Sequence, residues 1–313
     1  MAFTPTKETY SGKVYPVTIG TGDKAVTIGG ENVLPFNSFE GVTPNRPVVA
    51  IEIQDVPPAD WPENVKKPFE TVSGDPVKWA KYCQDELKAR AIALRLIGTH
   101  PDRENRSAED AAKTVKDVLN AVSIPLIILG SNHAEKDSQV LVAAAEAAKD
   151  RNCLIGKAQE ANYKTIAAAA MANNHKMIAM SELDINLSKQ LNILITQMGF
   201  DKGRLITDPM CSALGYGLEY TYSVMERIRL AALTQNDMTM QPPMLGDVGM
   251  YVWKIKETQA PETDLPQWGP AEERGIAWEA VTATALLVSG AELLIMRHPK
   301  AIEAVGKTIE ELI

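Results

Sequence analysis

From Pro47 onward the chain alternates short β-branched or aliphatic runs with longer stretches whose apolar residues recur every three or four positions, and the alternation repeats eight times. The strand-like runs are residues 48–53, 91–97, 125–129, 153–156, 176–180, 204–207, 244–248 and 292–296. Helical stretches begin near Pro76, Ala108, Asp137, Asn162, Asp184, Gly217, Ala271 and Pro299. Several carry start signals: Ser107 before Ala108-Glu109-Asp110, Ser181 and Asp184 before Leu187, and Pro299 where a first helical turn tolerates proline. Strand and helix in strict alternation build a parallel sheet with helices against it. Eight such units over about 250 residues fit a closed (β/α)8 barrel, a TIM barrel, better than an open doubly wound sheet. A Rossmann-like fold is the runner-up, weakened because no G-x-G-x-x-G opens a helix after the first strand.

Ahead of the barrel, residues 15–19 and 25–28 flank Gly20-Thr21-Gly22-Asp23, which reads as a β-hairpin placed to cap the barrel's lower end. The expected division is therefore an N-terminal hairpin extension over residues 1–46 and a TIM barrel over residues 47–313. Residues 57–76 hold Pro57, Pro58, Pro62, Pro68 and Pro76, too many for a helix or a central strand, so loop or short turns are expected there. A similar insertion at 251–270, with Trp253 and Trp268, follows the seventh strand.

A chain of 313 residues, 45% apolar and 23% charged, with a net charge of -8, has enough core for one large domain or two and lacks the basic footprint of a nucleic-acid binder. Its N-terminus MAFTPTKETYSGK has no apolar signal core and no apolar run spans a membrane, so a cytoplasmic protein is expected. Cys83, Cys153 and Cys211 stand alone, without metal-ligand spacing, and three thiols cannot hold an iron-sulfur cluster that needs about four. They read as buried core thiols.

In a barrel of this kind ligands meet the residues that follow each strand. Here these are Gln54-Asp55, Gly98-Thr99-His100, Gly130-Ser131-Asn132-His133, Gln159-Glu160 with Asn162, Ser181, Asp208-Pro209, Gly246-Asp247 and Arg297-His298. The rim is polar and rich in small residues, suited to a large amide-decorated ligand as well as to catalysis. The most unusual stretch is Asp208-Pro-Met-Cys-Ser-Ala-Leu-Gly-Tyr-Gly-Leu-Glu219, where Gly215 and Gly217 bracket Tyr216. Plain structural roles stand beside the functional ones. Gly215 and Gly217 would make the turn into the helix with Asp208 as a cap, Asn132 and His133 would form a turn, and Arg297 and His298 would end the eighth strand and start the last helix. Glu160, Asp184, Asp208 and Asp247 are the available carboxylates, and no spacing ties two of them into an acid/base pair. No Ser-His-Asp order, H-E-x-x-H or P-loop is present.

Several stretches, in order, carry a resemblance to a known family. They are Leu34-Pro35-Phe36, Phe39-Glu40-Gly41, Asn45-Arg46-Pro47, Ile53-Gln54-Asp55-Val56, Leu191-Asn192-Ile193-Leu194-Ile195, Gly215-Tyr216-Gly217-Leu218-Glu219-Tyr220, Met225-Glu226-Arg227-Ile228-Arg229, Glu279-Ala280-Val281-Thr282-Ala283-Thr284-Ala285-Leu286-Leu287 and Met296-Arg297-His298-Pro299. Nearly end to end, the chain resembles the small (delta) subunit of the corrinoid/iron-sulfur protein of the acetyl-CoA synthase/decarbonylase pathway. The resemblance implies a TIM barrel in a heterodimer whose large subunit alone carries the iron-sulfur cluster, with a cobalamin shared between the two. It implies methyl transfer from methyltetrahydrofolate, through a separate methyltransferase, to acetyl-CoA synthase, with a reductive activator protein as a further partner. Asn132, His133, Gln159, Asp208, Ser212, Ala213, Gly215 and Tyr216 are carried over by rim position as the surface facing the corrin, with no catalytic residue and no metal ligand in this chain. The D-x-H-x-x-G signature of self-contained cobalamin domains is missing, consistent with that division.

Three rival readings remain at the level of sequence. A pterin-binding TIM-barrel methyltransferase would hold methyltetrahydrofolate with Asn132, Asp184 and Asp208. An aldolase or hydrolase on the same scaffold is disfavoured by the lack of a Schiff-base lysine at a strand end and of metal-ligand clusters. A docking subunit would touch no cofactor at all.

Overall fold

The computed structural model describes residues 6–313; of the extension 1–46, and of the leader read as lacking a signal core, residues 1–5 lie outside the described residues. Two short antiparallel strands come first, β1 (Val17–Ile19) and β2 (Val26–Ile28). The barrel strands are β3 (Val48–Gln54), β4 (Ala91–Arg95), β5 (Leu126–Leu129), β6 (Leu154–Ala158), β7 (Lys176–Met180), β8 (Leu205–Asp208), β9 (Met244–Gly246) and β10 (Ala291–Met296). They close, all parallel, in the order β10-β3-β4-β5-β6-β7-β8-β9. All eight strand-like runs are strands, with ends moved by one or two residues, and the sheet is closed rather than open.

The outer helices are α1 (Glu63–Lys66), α2 (Pro76–Asp85), α3 (Ala108–Ala121), α4 (Ala134–Ala147), α5 (Tyr163–Ala172), α6 (Ile185–Gln197), α7 (Leu218–Thr234), α8 (Val248–Val252), α9 (Lys256–Gln259), α10 (Ala271–Val288) and α11 (Pro299–Leu312). Their starts follow from capping chemistry. Asp75 accepts from Val77 N and Lys78 N ahead of α2, and Ser107 and Asp110 form a capping box on α3. Helix α4 begins three residues before the expected Asp137, because His133 Nδ1 accepts the Lys136 amide and so caps it.

Alternate residues of a strand face opposite sides, and here one set packs against the helices while the other fills the barrel. The lower interior is apolar: Val48, Ala50, Ala91, Ala93, Ile127, Leu129, Leu154, Ile178, Ile206, Leu245, Leu293 and Ile295 form one cluster with Val17, Ile19, Val26 and Ile28 of the hairpin. The hairpin is thus a plug in the barrel floor, as its position in sequence suggested. Gly20 N donates to Asn152 O at 2.8 Å, and Asn152 Nδ2 donates to Gly20 O and Thr18 O, which stitches the plug to the loop before β6. Arg229 of α7, between Glu31 of the extension and Glu292 of β10, adds a buried ionic tie.

The proline-rich insertion folds as α1 and a 3-10 turn at Lys67–Phe69, short turns as its composition requires. Its Trp61 and Phe69 lie 5.5 and 5.2 Å from the Trp79 ring of α2. The second insertion forms α8, α9 and a 3-10 turn at Pro266–Trp268, with Trp268 stacked on Trp278 at 5.1 Å.

Candidate functional site at the barrel mouth

Above the apolar layers the barrel interior becomes ionic. On β3 the inward series Val48, Ala50 continues with Glu52, and on β4 the series Ala91, Ala93 continues with Arg95. Lys157, Asp208, Asp247 and Arg297 complete a ring of six buried charges, three of each sign. Arg95 Nε and Nη2 reach Glu52 at 3.1 and 3.2 Å, and Nη2 reaches both Asp247 oxygens at 2.9 Å. Arg297 Nη2 donates to Glu52 Oε1 at 2.9 Å while its guanidinium lies 4.5 Å from the Trp61 ring centre. Lys157 Nζ donates to Asp247 Oδ2 at 2.6 Å and sits 2.8 Å from Asp208 Oδ2, an ion pair set off the hydrogen-bonding axis.

Lone ions cannot be buried at tolerable cost, so the ring persists because each charge has a counter-charge. Burial works to raise the Asp247 carboxyl, but Arg95 and then Lys157 outweigh it and hold it well below the usual range. For Lys157, burial favours the neutral amine, and Asp208 and Asp247 override that and keep it charged. Sequence reading missed this residue: a lysine does stand at a strand end, correcting the expectation that none would. It is held as an ammonium, the wrong form for a Schiff-base nucleophile, so the aldolase reading gains nothing from it. Asp208 and Asp247, which no spacing linked, meet through this one ammonium.

The mouth is roofed. Met250 of α8 receives an N–H contact from Asn132 Nδ2 at 3.2 Å, joining the ends of β9 and β5, which lie on opposite sides of the barrel. Beside it, burial pushes the Tyr251 phenol up to about 12, against the pull of Lys157. An added Cβ at Gly249 would fall 2.7 Å from Arg297 Cγ, so α8 lies directly on the ionic ring.

The eight rim residues fall into two groups around this roof. On one side Asn132 (φ 71°) is exposed; its backbone N–H and that of Ser131 donate to Asp137, which folds back from inside α4. His133 caps α4 with its ring 5.6 Å from His100, and Gln159 N donates to Asn162 Oδ1, whose amide reaches Ala134 O. On the other side, Asp208 Oδ1 accepts from Met210 N at 2.9 Å and so holds the local turn instead of capping α7, whose N-cap is Gly217. Ser212 N donates to Thr221 Oγ1, and Ala213, 2% exposed, packs into the core. Gly215 has φ 81° with no atom within 4 Å of an added Cβ, and Tyr216, 49% exposed, donates its hydroxyl to Glu257 at 2.8 Å. Thus Asp208 and Ala213 are buried, Ser212, His133 and Gln159 half-buried, and Asn132, Gly215 and Tyr216 open.

Arg297 and His298 end β10 and start α11 as expected, with His298 Nδ1 accepting from Lys300 N, but the Arg297 side chain also joins the ring. Glu279 of α10 accepts the backbone N–H groups of Arg297 and His298 at 2.7 and 3.0 Å. Burial pushes its carboxyl from the ordinary 4.5 up to about 7. The folded chain therefore keeps a proton that the unfolded chain releases. This group's contribution to stability should fall as pH rises from about 4.5 to 7 and be level above that. Glu279→Gln should remove a slope of at most ~1.4 kcal/mol per pH unit from a plot of unfolding free energy, taken from urea titrations, across that window. An unchanged slope would show that Glu279 titrates normally. His298, pushed by burial from 6.5 down to about 4, works oppositely and costs stability as pH falls through that interval.

Among the described residues no group of three or more His, Cys, Asp or Glu is placed to hold a metal, and no helix is long and apolar enough to cross a membrane. Cys83, Cys153 and Cys211 are all buried and free. Burial pushes the first two thiols up to about 12 and Cys211 well above its usual value, so none is a ready thiolate ligand.

A closed (β/α)8 barrel with a floor plug and an ionic mouth places the chain among the TIM-barrel proteins. Solved structures agree on the fold. Dihydropteroate synthase from Coxiella burnetii, solved with pteroic acid, has a TM-score of 0.57 at 14% identity, covering 89% of this chain and 98% of that one. The Xanthomonas albilineans enzyme with 4-aminobenzoic acid gives 0.56 at 14%, with 88% and 96% covered. The family model described as CO dehydrogenase/acetyl-CoA synthase delta subunit matches residues 16–306, and the chain belongs to that family. Among similar proteins, acetyl-CoA decarbonylase/synthase complex subunit delta 1 of Methanosarcina thermophila is 38% identical over 94% of this chain and 67% of its own length. The delta subunit of Methanocaldococcus jannaschii is 36% identical, over 94% and 72%.

Proposed function

We propose that this chain is the small subunit of a heterodimeric corrinoid/iron-sulfur methyl carrier, helping to hold a cobalamin at the subunit interface while the large subunit alone carries the iron-sulfur cluster. The observation that carries the reading is the ring of six charges under α8. The barrel interior is occupied by its own side chains, so an occupant of this chain lies across the rim. The open and half-buried residues there suit a bulky, amide-bearing macrocycle. Gly215 leaves free space for close approach, Asn132, Gln159 and His133 offer hydrogen-bonding groups, and Tyr216 offers an exposed ring. Asp208 and Ala213 would act indirectly, by shaping the loop that bears Ser212, Gly215 and Tyr216.

A bound corrinoid supplies the cobalt that accepts and donates the methyl group; this chain's residues would position it and exclude water. The buried thiols do not fit a cluster, in keeping with a cluster housed in the partner. The donor and acceptor of the methyl group would be methyltetrahydrofolate on a methyltransferase and acetyl-CoA synthase, with a reductive activator as a further partner, all in the cytoplasm.

The test is to express the chain alone and with its large subunit, add cobalamin, remove the unbound cofactor and record absorption spectra. Corrinoid retained only by the pair is the expected result. Gly215→Leu should cut that retention severalfold while lowering stability by only about 1 kcal/mol, since the strain of a side chain at positive φ is local and the added Cβ meets no atom. Equal loss of both would overturn the assignment of Gly215.

The fold shared with pterin enzymes supports a second reading, a pterin-binding methyltransferase. Against it, Asp184 accepts from Asn186 N and Leu187 N as the cap of α6, and Asp208 faces Lys157. A lone chain that stays colourless yet binds methyltetrahydrofolate tightly would establish that alternative.

A further inference from the structure

We infer that Lys157 is a positioning residue that ties two parts of the barrel mouth, the Met210–Gly217 loop and the roofing helix α8, to a single point inside the barrel.

The strand that carries it explains how it gets there. Along β6, Leu154 faces in and Ile155 faces the helices, so regular alternation would send Lys157 outward. The ladder to β7 slips between Ile155 and Ala158: Ile155 pairs with Met177, and Ala158, three residues on, pairs with Ala179, only two residues on. One extra residue is accommodated in β6, and such a bulge re-aims a side chain. At Gly156 an added Cβ would stand 2.7 Å from Ile178 Cβ, so the inward position before the bulge has no room for a side chain. Lys157 fills the space above instead.

Its ammonium then meets two carboxylates from different strands, each the root of a different part of the rim. Asp208 ends β8 and, through Oδ1, holds Met210 N at the residue where the loop turns with φ 68°. Asp247 immediately precedes α8, whose Met250 reaches across to Asn132. The two roots are not equally secured. Asp247 has Arg95 as a second cation at 2.9 Å, whereas Asp208 has Lys157 as its one ion-pair partner among the described residues. Removing Lys157 should therefore free the loop strongly and α8 weakly. Removing only the Asp208 charge should free the loop alone.

Hydrogen–deuterium exchange of the chain paired with its large subunit reads this directly, because local opening sets the rate. In Lys157→Met, amides of residues 210–217 should exchange at least tenfold faster and those of 248–252 a few fold faster, with the floor hairpin at 17–28 unchanged. A uniform rise everywhere, or no change in the loop, would overturn the inference. Should that variant fail to fold, Asp208→Asn keeps an acceptor for Met210 N and leaves Lys157 paired with Asp247. It should speed the loop but not α8, and equal acceleration of both, or of neither, would count against Lys157 as the common anchor.

The consequence for a cofactor rests on the corrinoid reading, and the same samples separate the two. Faster loop exchange with corrinoid lost supports both. Faster loop exchange with corrinoid fully retained and its spectrum unshifted supports the anchoring role and removes this loop from the corrinoid face.

Discussion

Arg95→Met should lower the free energy of unfolding by about 3–5 kcal/mol, the range expected when one member of a buried ion network is removed and its partners stay behind. Arg95 is the residue on which the ring converges. It bridges Glu52 of β3 and Asp247 at the end of β9, on either side of β10 in the barrel, and is itself 1% exposed. Without it, Glu52 keeps only Arg297 and Asp247 keeps only Lys157, and three anions face two cations in a volume closed by α8. Arg95 and Asp247 should also couple: Asp247→Asn should cost much less in the Arg95→Met background than alone. Urea denaturation of the four proteins checks both statements. A loss below about 1 kcal/mol for the single variant would mean that water reaches the ring and screens it, as it does for surface pairs.

The second large effect is expected in the aromatic knot beside α2. Trp79→Ala should cost about 3–5 kcal/mol, because it empties one of the two fully buried tryptophan side chains among the described residues and leaves Trp61 and Phe69 facing a cavity. Trp79→Phe should cost a small part of that. The indole N–H has no partner, so the loss is one of packing rather than of a hydrogen bond. Denaturation followed by circular dichroism would distinguish the two variants. Similar costs for both would point to the indole N–H after all.

Much of the architecture was legible because a parallel sheet covered by helices buries both faces of its strands, so the strands read as continuous apolar runs with helical periodicity between them. The hairpin was legible too, from two β-branched triplets around a glycine turn. The mouth was legible only in part. Rim residues could be named because strand ends can be counted, and Asp208 and Asp247 lay among them. Glu52 and Arg95 carried a usable signal, each standing two residues beyond an inward alanine on an otherwise apolar strand. Lys157 carried none: alternation directs it outward, and the bulge that turns it inward depends on pairing with β7. Nor could sequence show that Asp137, inside α4, folds back onto Ser131 and Asn132, or that Met250 crosses the mouth to Asn132. The Met250 contact is fixed by barrel closure, which brings together segments over a hundred residues apart, and the Asp137 contact by the turn the chain takes into α4.

The floor plug also bears on the order in which the chain is assembled. Its four apolar side chains complete a cluster whose last members, Leu293 and Ile295, belong to the strand that closes the barrel. A chain made at roughly 5–20 residues per second reaches that strand roughly 15 to 50 seconds after the hairpin has been synthesised. Throughout that interval the hairpin has no barrel to fill, and a two-stranded ribbon of this size is at best marginally stable alone. A segment made well before the closing strand is thus among the last to find its place, and its exposed valines and isoleucines are where a folding helper would be expected to bind a nascent chain.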